Sequence, residues 1–168
     1  AGSLRERAES MSGLIDDTME AVREIVSRLR PDVLDQLGLA SAIEWQAEEF
    51  QRRSGLRCHV TLPAEAVQLD KGRSTALFRI FQELLTNVAR HANATRVAVA
   101  VRPDSGRLVV LTVEDNGRGI DEEVARSPKS LGLMGVRERV LPYGGRVEVE
   151  GVRGKGTLVR VTLPQSRE

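Results

Sequence analysis

The sequence predicts a two-layer α/β sandwich, a mixed five-stranded sheet with three helices on one face, preceded by a long amphipathic helix. Two periodicities predict it. Apolar residues alternate with polar ones near 57–62, 95–102, 107–115, 145–151 and 157–163, the pattern of strands that bury one side. Near 38–54, 73–92 and 132–141 they recur instead at steps of three and four, the stripe of helices that lie on a sheet. Stacking those stripes on the apolar side of the strands buries both sets in one core.

Composition narrows the function. The 168 residues carry 25 Lys and Arg against 24 Asp and Glu, a balance without the basic footprint of a nucleic-acid binder, so no direct nucleic-acid contact is expected. There is neither an apolar run of about 18 residues nor an export signal, so this chain is expected to make no membrane contact and to be cytoplasmic, while a membrane-anchored parent stays compatible. Cys58 is the single cysteine; no intramolecular disulfide can form, and a reducing compartment is the simpler reading.

In the first thirty residues Leu4, Ala8, Met11, Ile15, Met19, Val22, Ile25, Val26 and Leu29 recur at helical steps, and Pro31 closes the run. Such a helix either folds back on its own domain or joins a bundle. Ala1-Gly2-Ser3 reads as a cloning remnant, 31–37 as a junction and 38–168 as the main domain. On the first strand Cys58, Val60 and Leu62 point inward and His59 outward.

Along 73–92, Leu77, Phe78, Phe81, Leu84, Leu85 and Val88 form the apolar stripe, with Arg79, Glu83, Asn87 and Arg90 opposite. Glu83 and Asn87 stand one turn apart on the same side, so their oxygens can serve one ligand. Mg²⁺ suits such a pair, because it keeps several waters and takes one or two protein oxygens beside substrate phosphates. An ordinary solvated face is the competing reading.

In 107–115, Val109, Leu111, Val113 and Asp115 share one side, so a carboxylate continues an inward apolar row. A buried acid needs a donor, and an amino group such as that of adenine would supply one. Asn116-Gly117 reads equally as a hairpin turn; Gly119 favours a loop pressed against a ligand. Ser130 to Gly135 (SLGLMG) leads into a helix whose N-terminal N–H groups suit phosphates, although a glycine pair there can be a simple turn. In the last strand Thr157 joins Val159, Val161 and Leu163 on the apolar side, and GKGT (Gly154 to Thr157) by itself reads first as a hairpin.

The segments FQELLTNVARHA (81–92), EDNGRGI (114–120), SLGLMG (130–135) and GKGT (154–157) resemble, in order and spacing, the N, G1, G2 and G3 boxes of the GHKL ATPases. The resemblance covers roughly residues 38–168. LRPDVLDQLGLASAIEW (29–45) and LGLMGVRERV (131–140) are similar to sensor histidine kinases of the nitrate-sensor class.

That resemblance implies a Bergerat-type ATP-binding fold with ATP and Mg²⁺ as cofactors. It also implies a short mobile lid near 120–131 and phosphoryl transfer to a His on a dimerisation hairpin. Asn87 would take Mg²⁺ at the phosphates. Glu83 would orient a metal-bound water or assist removal of the acceptor proton, and Arg90 would contact a phosphate. Asp115 would read adenine, with Gly117, Gly119 and Thr157 completing the base end. Gly132, Leu133 and Gly135 would line the phosphates. Ser130 stands where many relatives carry glycine.

The implied partners are ATP, the phosphoacceptor hairpin of a homodimer, and a response regulator with a helix-turn-helix output domain. No His in a helix followed by an acid matches the acceptor pattern. His59 lies on a strand, and His91 reads as a packing or capping residue. The chain is therefore expected to hold the second hairpin helix and the catalytic domain. Two alternatives are an anti-sigma-type serine kinase of the same fold and a nucleotide-binding dimerisation module without catalysis.

Overall fold

The computed structural model describes residues 32–105, 107–121, 124, 125, 127 and 130–166. The expectations for the amphipathic segment 1–30 fall outside the described residues.

Helix α1 (Asp32–Ser54) leads into β1 (Arg57–Thr61), and α2 (Lys71–Asn87) continues through a π turn (Val88–Ala92) to β2 (Arg96–Asp104) and β3 (Leu108–Asp115). Helix α3 (Leu131–Val140), a 3₁₀ turn (Leu141–Tyr143), β4 (Arg146–Val152) and β5 (Gly156–Pro164) complete the order. The sheet runs β1-β2-β3-β5-β4. The β1–β2 pair is parallel and the others are antiparallel, so the sheet is mixed, as expected.

The span 32–37, expected as a junction, is helical, and Gly38 (φ 77) breaks α1 just after it. Beyond the break, Ala42, Ile43, Ala47 and Phe50 are buried. Helix α2 starts where Asp70 caps it, accepting from the Arg73 N–H at 2.8 Å, two residues earlier than the apolar stripe alone indicates. That backbone bond, ahead of the Arg73 side chain, holds the Asp70 carboxyl below its ordinary value. Asp70 N–H in turn donates to Ser166 Oγ at 2.5 Å, tying the end of the chain to the start of α2.

Helix α2 buries Leu77, Phe78, Ile80, Phe81, Leu84 and Leu85 against the sheet. At roughly 1.5–3 kcal/mol for each large side chain, this packing outweighs helix propensity in holding α2 in place. The same core takes Val97, Val99 and Val101 of β2, Val109, Leu111 and Val113 of β3, and Val136 and Val140 of α3. The expected helix 73–92 is α-helical only to Asn87. The π turn then keeps Val88 and Ala92 buried while Arg90 and His91 are exposed. Cys58 and Val60 pack on the core edge, whereas His59 is exposed; burial pushes the Cys58 thiol up to about 11, which makes it an inert packing group.

Candidate nucleotide site

Two walls meet above the central strands. The first is built by α2, whose apolar stripe points down and thereby turns Glu83 and Asn87 toward the start of α3. Gly132 packs directly on them: a Cβ at that position would stand 2.7 Å from Glu83 Oε1 and 2.9 Å from Asn87 Oδ1. Asn87 Nδ2 is buried with no hydrogen-bond partner. A buried amide without a partner costs about 1–3 kcal/mol, so this one is poised for a guest.

The second wall is the end of β3 and the start of β5. Asp115 and Thr157 are direct register partners, and Asp115 is buried behind Val113. Burial pushes the Asp115 carboxyl up from its ordinary value; the Gly117 N–H, donating at 2.8 Å, and the N–H and hydroxyl of Thr157 pull the other way. Glu114 adds a smaller upward push. The result is an acceptor held in fixed orientation at the end of an apolar row, the requirement for reading an amino group.

The loop after β3 is pinned on both sides. Arg118 N–H donates to Ala92 O at 2.7 Å, and the Gly154 N–H donates to Arg118 O at 2.9 Å. Gly119 adopts φ +76, and a Cβ there would stand 2.2 Å from Val152 O, so only glycine fits. Asn116-Gly117 makes no hairpin. The Asn116 side chain instead accepts from the N–H groups of Thr95 and Arg96, each at 2.9 Å, and donates to Thr95 Oγ1. GKGT is a hairpin, between β4 and β5, and it also delivers Thr157 to Asp115.

Between the walls lies a cavity of about 580 Å³, within the range of small-molecule sites. Glu83, Asn87, Arg90, Asp115, Gly119, Gly132, Leu133 and Thr157 all line it. Gly117 and Gly135 do not. Gly117 acts from behind, as donor to Asp115. A Cβ on Gly135 would meet only the end of the Arg139 side chain, at 2.8 Å, so nothing in its surroundings demands glycine.

Several lining residues were not anticipated as part of the site, His91 and Arg118 among them. His91, read as packing or capping, is exposed and lines the cavity, as does the exposed Arg118. The π turn from Val88 to Ala92 rotates His91 relative to a continued α-helical wheel, while Val88 stays buried and Arg90 still lines the cavity. Ser130 lines the cavity too, its hydroxyl donating to Val124 O at 2.5 Å. The serine at the start of this segment therefore ties the start of α3 back to Val124.

The residues fit Mg²⁺ bound with a polyphosphate. Among the described residues no three His, Cys, Asp or Glu side chains converge as a metal cage. The Asn87 amide oxygen beside the Glu83 carboxylate is the sparse oxygen set that Mg²⁺ takes when phosphates supply other ligands, and the unpartnered Nδ2–H group is a donor suited to a phosphate oxygen.

Residues 72–167 match the family described as histidine kinase-, DNA gyrase B- and HSP90-like ATPase. The signal transduction histidine-protein kinase/phosphatase UhpB of Salmonella typhimurium is 34% identical over 165 residues, 98% of this chain and 32% of its own length. The sensor histidine kinase MctS of Rhizobium johnstonii is 33% identical over 160 residues, 94% of this chain and 33% of its own. The chain thus spans about a third of these relatives.

Among solved structures, the histidine kinase domain of the Erythrobacter litoralis EL346 blue-light activated kinase superposes with a TM-score of 0.65 at 26% identity. That match covers 75% of this chain and 60% of the other. The Acinetobacter baumannii histidine kinase AdeS, 16% identical, shares the fold at a TM-score of 0.66 over 95% of this chain and 86% of its own. A cavity with a strand-end acid on one side and a Glu–Asn helix face on the other, within this sheet order and with these matches, places the chain in the histidine kinase-, DNA gyrase B- and HSP90-like ATPase family.

Proposed function

We propose that this chain is the ATP-binding catalytic domain of a two-component sensor histidine kinase of the nitrate-sensor class. It would transfer the γ-phosphoryl group of ATP to a His on a dimerisation hairpin, for relay to a response-regulator Asp. The observation that carries the reading is the convergence of Asn87, Gly132, Asp115 and Thr157 on one cavity. The relatives UhpB and MctS, matched over nearly the whole chain, support the kinase assignment.

Asp115 accepts the adenine amino group, held for it by Gly117 and Thr157. Gly119 brings backbone against the base, while Val113 and Val159 give the cavity an apolar floor. At the other end Asn87 and Glu83 would hold Mg²⁺, and Gly132 and Leu133 bring the start of α3 to where the phosphates would lie, so that its N–H groups would face anionic oxygens. A magnesium ion bound there would supply charge neutralisation on the phosphates. Arg90, exposed on the rim, adds a cation for the transferring group. Phosphoryl transfer depends chiefly on such positioning and charge stabilisation. Glu83 can assist the acceptor imidazole by taking its proton through water.

Incubation with γ-labelled ATP, with and without a separate hairpin bearing the acceptor His, tests the reading. Labelling of the hairpin in trans, without self-labelling, is expected. Label on His59 or His91, or no hairpin label despite bound nucleotide, would refute it.

A further inference from the structure

A second concavity, of about 570 Å³, lies on the sheet face turned away from the helices. Its exposed lining comes from separated parts of the chain. Arg57 and His59 belong to β1, Arg96 to β2, Glu114 to β3, and Lys155 to the β4–β5 hairpin, with Asn116 beside them. Arg57 and Arg96 are direct register partners on neighbouring strands. Like charges placed so repel and cost stability. Among the described residues none of Arg57, Arg96 and Lys155 has an ion-pair partner for its side chain.

Two acids border the groove. Glu114 shares its face, but the carboxylate of Asp115 is committed on the other side to Gly117 and Thr157. The groove is therefore cationic. It is also preorganised, because Asn116 fixes the start of β2 by accepting the Thr95 and Arg96 N–H groups. Two guanidinium forks on rigid strands, flanked by an ammonium and an imidazole, match the oxygens of a phosphoryl group. The volume suits a small molecule, and the balanced charge of the chain offers no continuing track for a nucleic acid.

We propose that this groove binds the phosphoryl group of a phosphorylated small molecule, at a site separate from the nucleotide cavity. The two sites stand back to back across Asp115, which borders both. An occupant of the groove would press on Asn116 and thereby on the strand end that reads the base.

The test follows backbone amide shifts of the ¹⁵N-labelled chain during titration with inorganic pyrophosphate. Saturating shifts at Arg57, Arg96, Asn116 and Lys155 are expected, with affinity about tenfold or more lower in R57Q/R96Q and weakened by salt. Should that variant fail to fold, R57K/R96K, which keeps charge but lacks the forks, is expected to lose affinity in the same direction. Shifts confined to residues around Asn87 and Gly132 would overturn the proposal. So would equal affinity in the folded variant, a non-saturating drift of an adventitious ion only, or saturation by a polyglutamate peptide but not by pyrophosphate.

Discussion

Gly132 and Asn87 touch so closely that a single methyl group cannot enter between them: a Cβ on Gly132 would stand 2.9 Å from Asn87 Oδ1 and 3.0 Å from Nδ2. The atoms in the way are the ends of side chains, which can swing aside at little cost to the fold. Swinging aside, however, moves the groups proposed to hold magnesium. Gly132→Ala should therefore leave the thermal midpoint nearly unchanged while lowering Mg-ATP-dependent transfer on the order of 100-fold. Asn87→Ala should lose transfer at least as severely. Calorimetric unfolding together with hairpin labelling checks both; a midpoint that collapses in Gly132→Ala would mean the contact is structural.

Gly117 and Gly135 should behave in opposite ways to each other. A Cβ on Gly117 would stand 2.1 Å from Ala92 O, and that backbone is buried in the π turn and cannot step aside. Gly117→Ala is expected to cost about 2–4 kcal/mol, seen as a lowered denaturant midpoint. Gly135→Ala meets only Arg139, so both stability and nucleotide affinity should stay at the wild-type level. A large loss of affinity there would return Gly135 to the phosphate site.

Asp115 sets function against stability. Its folded carboxyl value is raised, chiefly by burial, so over the interval from the ordinary carboxylate value up to the raised one the folded state binds more protons than the unfolded state. Stability falls with rising pH across that interval, and the penalty is fully present above it. Asp115→Asn removes the titrating charge, so the apo thermal midpoint should rise relative to wild type above that interval, a gain partly offset because the amide keeps an acceptor for the Gly117 N–H but turns its own NH₂ toward the Thr157 donors. The gain should vanish in acid. Adenine nucleotide binding should meanwhile be lost in Asp115→Ala and weakened in Asp115→Asn, since the amide brings a donor toward the adenine amino group. Unchanged ATP affinity in isothermal titration of Asp115→Ala would contradict the adenine assignment.

Much of this was readable before any coordinates. The row Val109, Leu111, Val113, Asp115 gave its own burial, because period-two alternation is local and survives into the sheet. Glu83 and Asn87 share a face for the same local reason. What escaped depended on long-range partners or on a broken period. Nothing local announced that Asn116 would brace Thr95 and Arg96, 21 and 20 positions away, so Asn116-Gly117 was equally a hairpin. His91 was read as packing or capping because nothing local announced the π turn that begins after Asn87. Gly117 and Gly135 looked equivalent to Gly119 and Gly132, since a glycine's neighbours in space are not written beside it.

The ion pair of Asp121 with Arg153 closes the root of the loop that leads to α3. Arg153 donates to both carboxylate oxygens, at 3.0 and 2.7 Å, and its hydrogen bonds hold the Asp121 carboxyl below its ordinary value. Both side chains are exposed, so the pair adds little to global stability. Its effect is local, added to the backbone anchor from Gly154 to Arg118. A lowered acid contributes above its ordinary value, and the contribution fades as pH falls through the folded value. Arg153→Ala should thus leave global unfolding unaltered yet speed amide hydrogen exchange at Gly119 to Asp121 several-fold, an effect on the order of that measured for exposed pairs. In the wild type the same speeding should appear in about 1 M salt, where the Debye length shrinks to about 3 Å. Exchange rates identical in Arg153→Ala and wild type at low salt would show that the backbone anchors alone hold the loop.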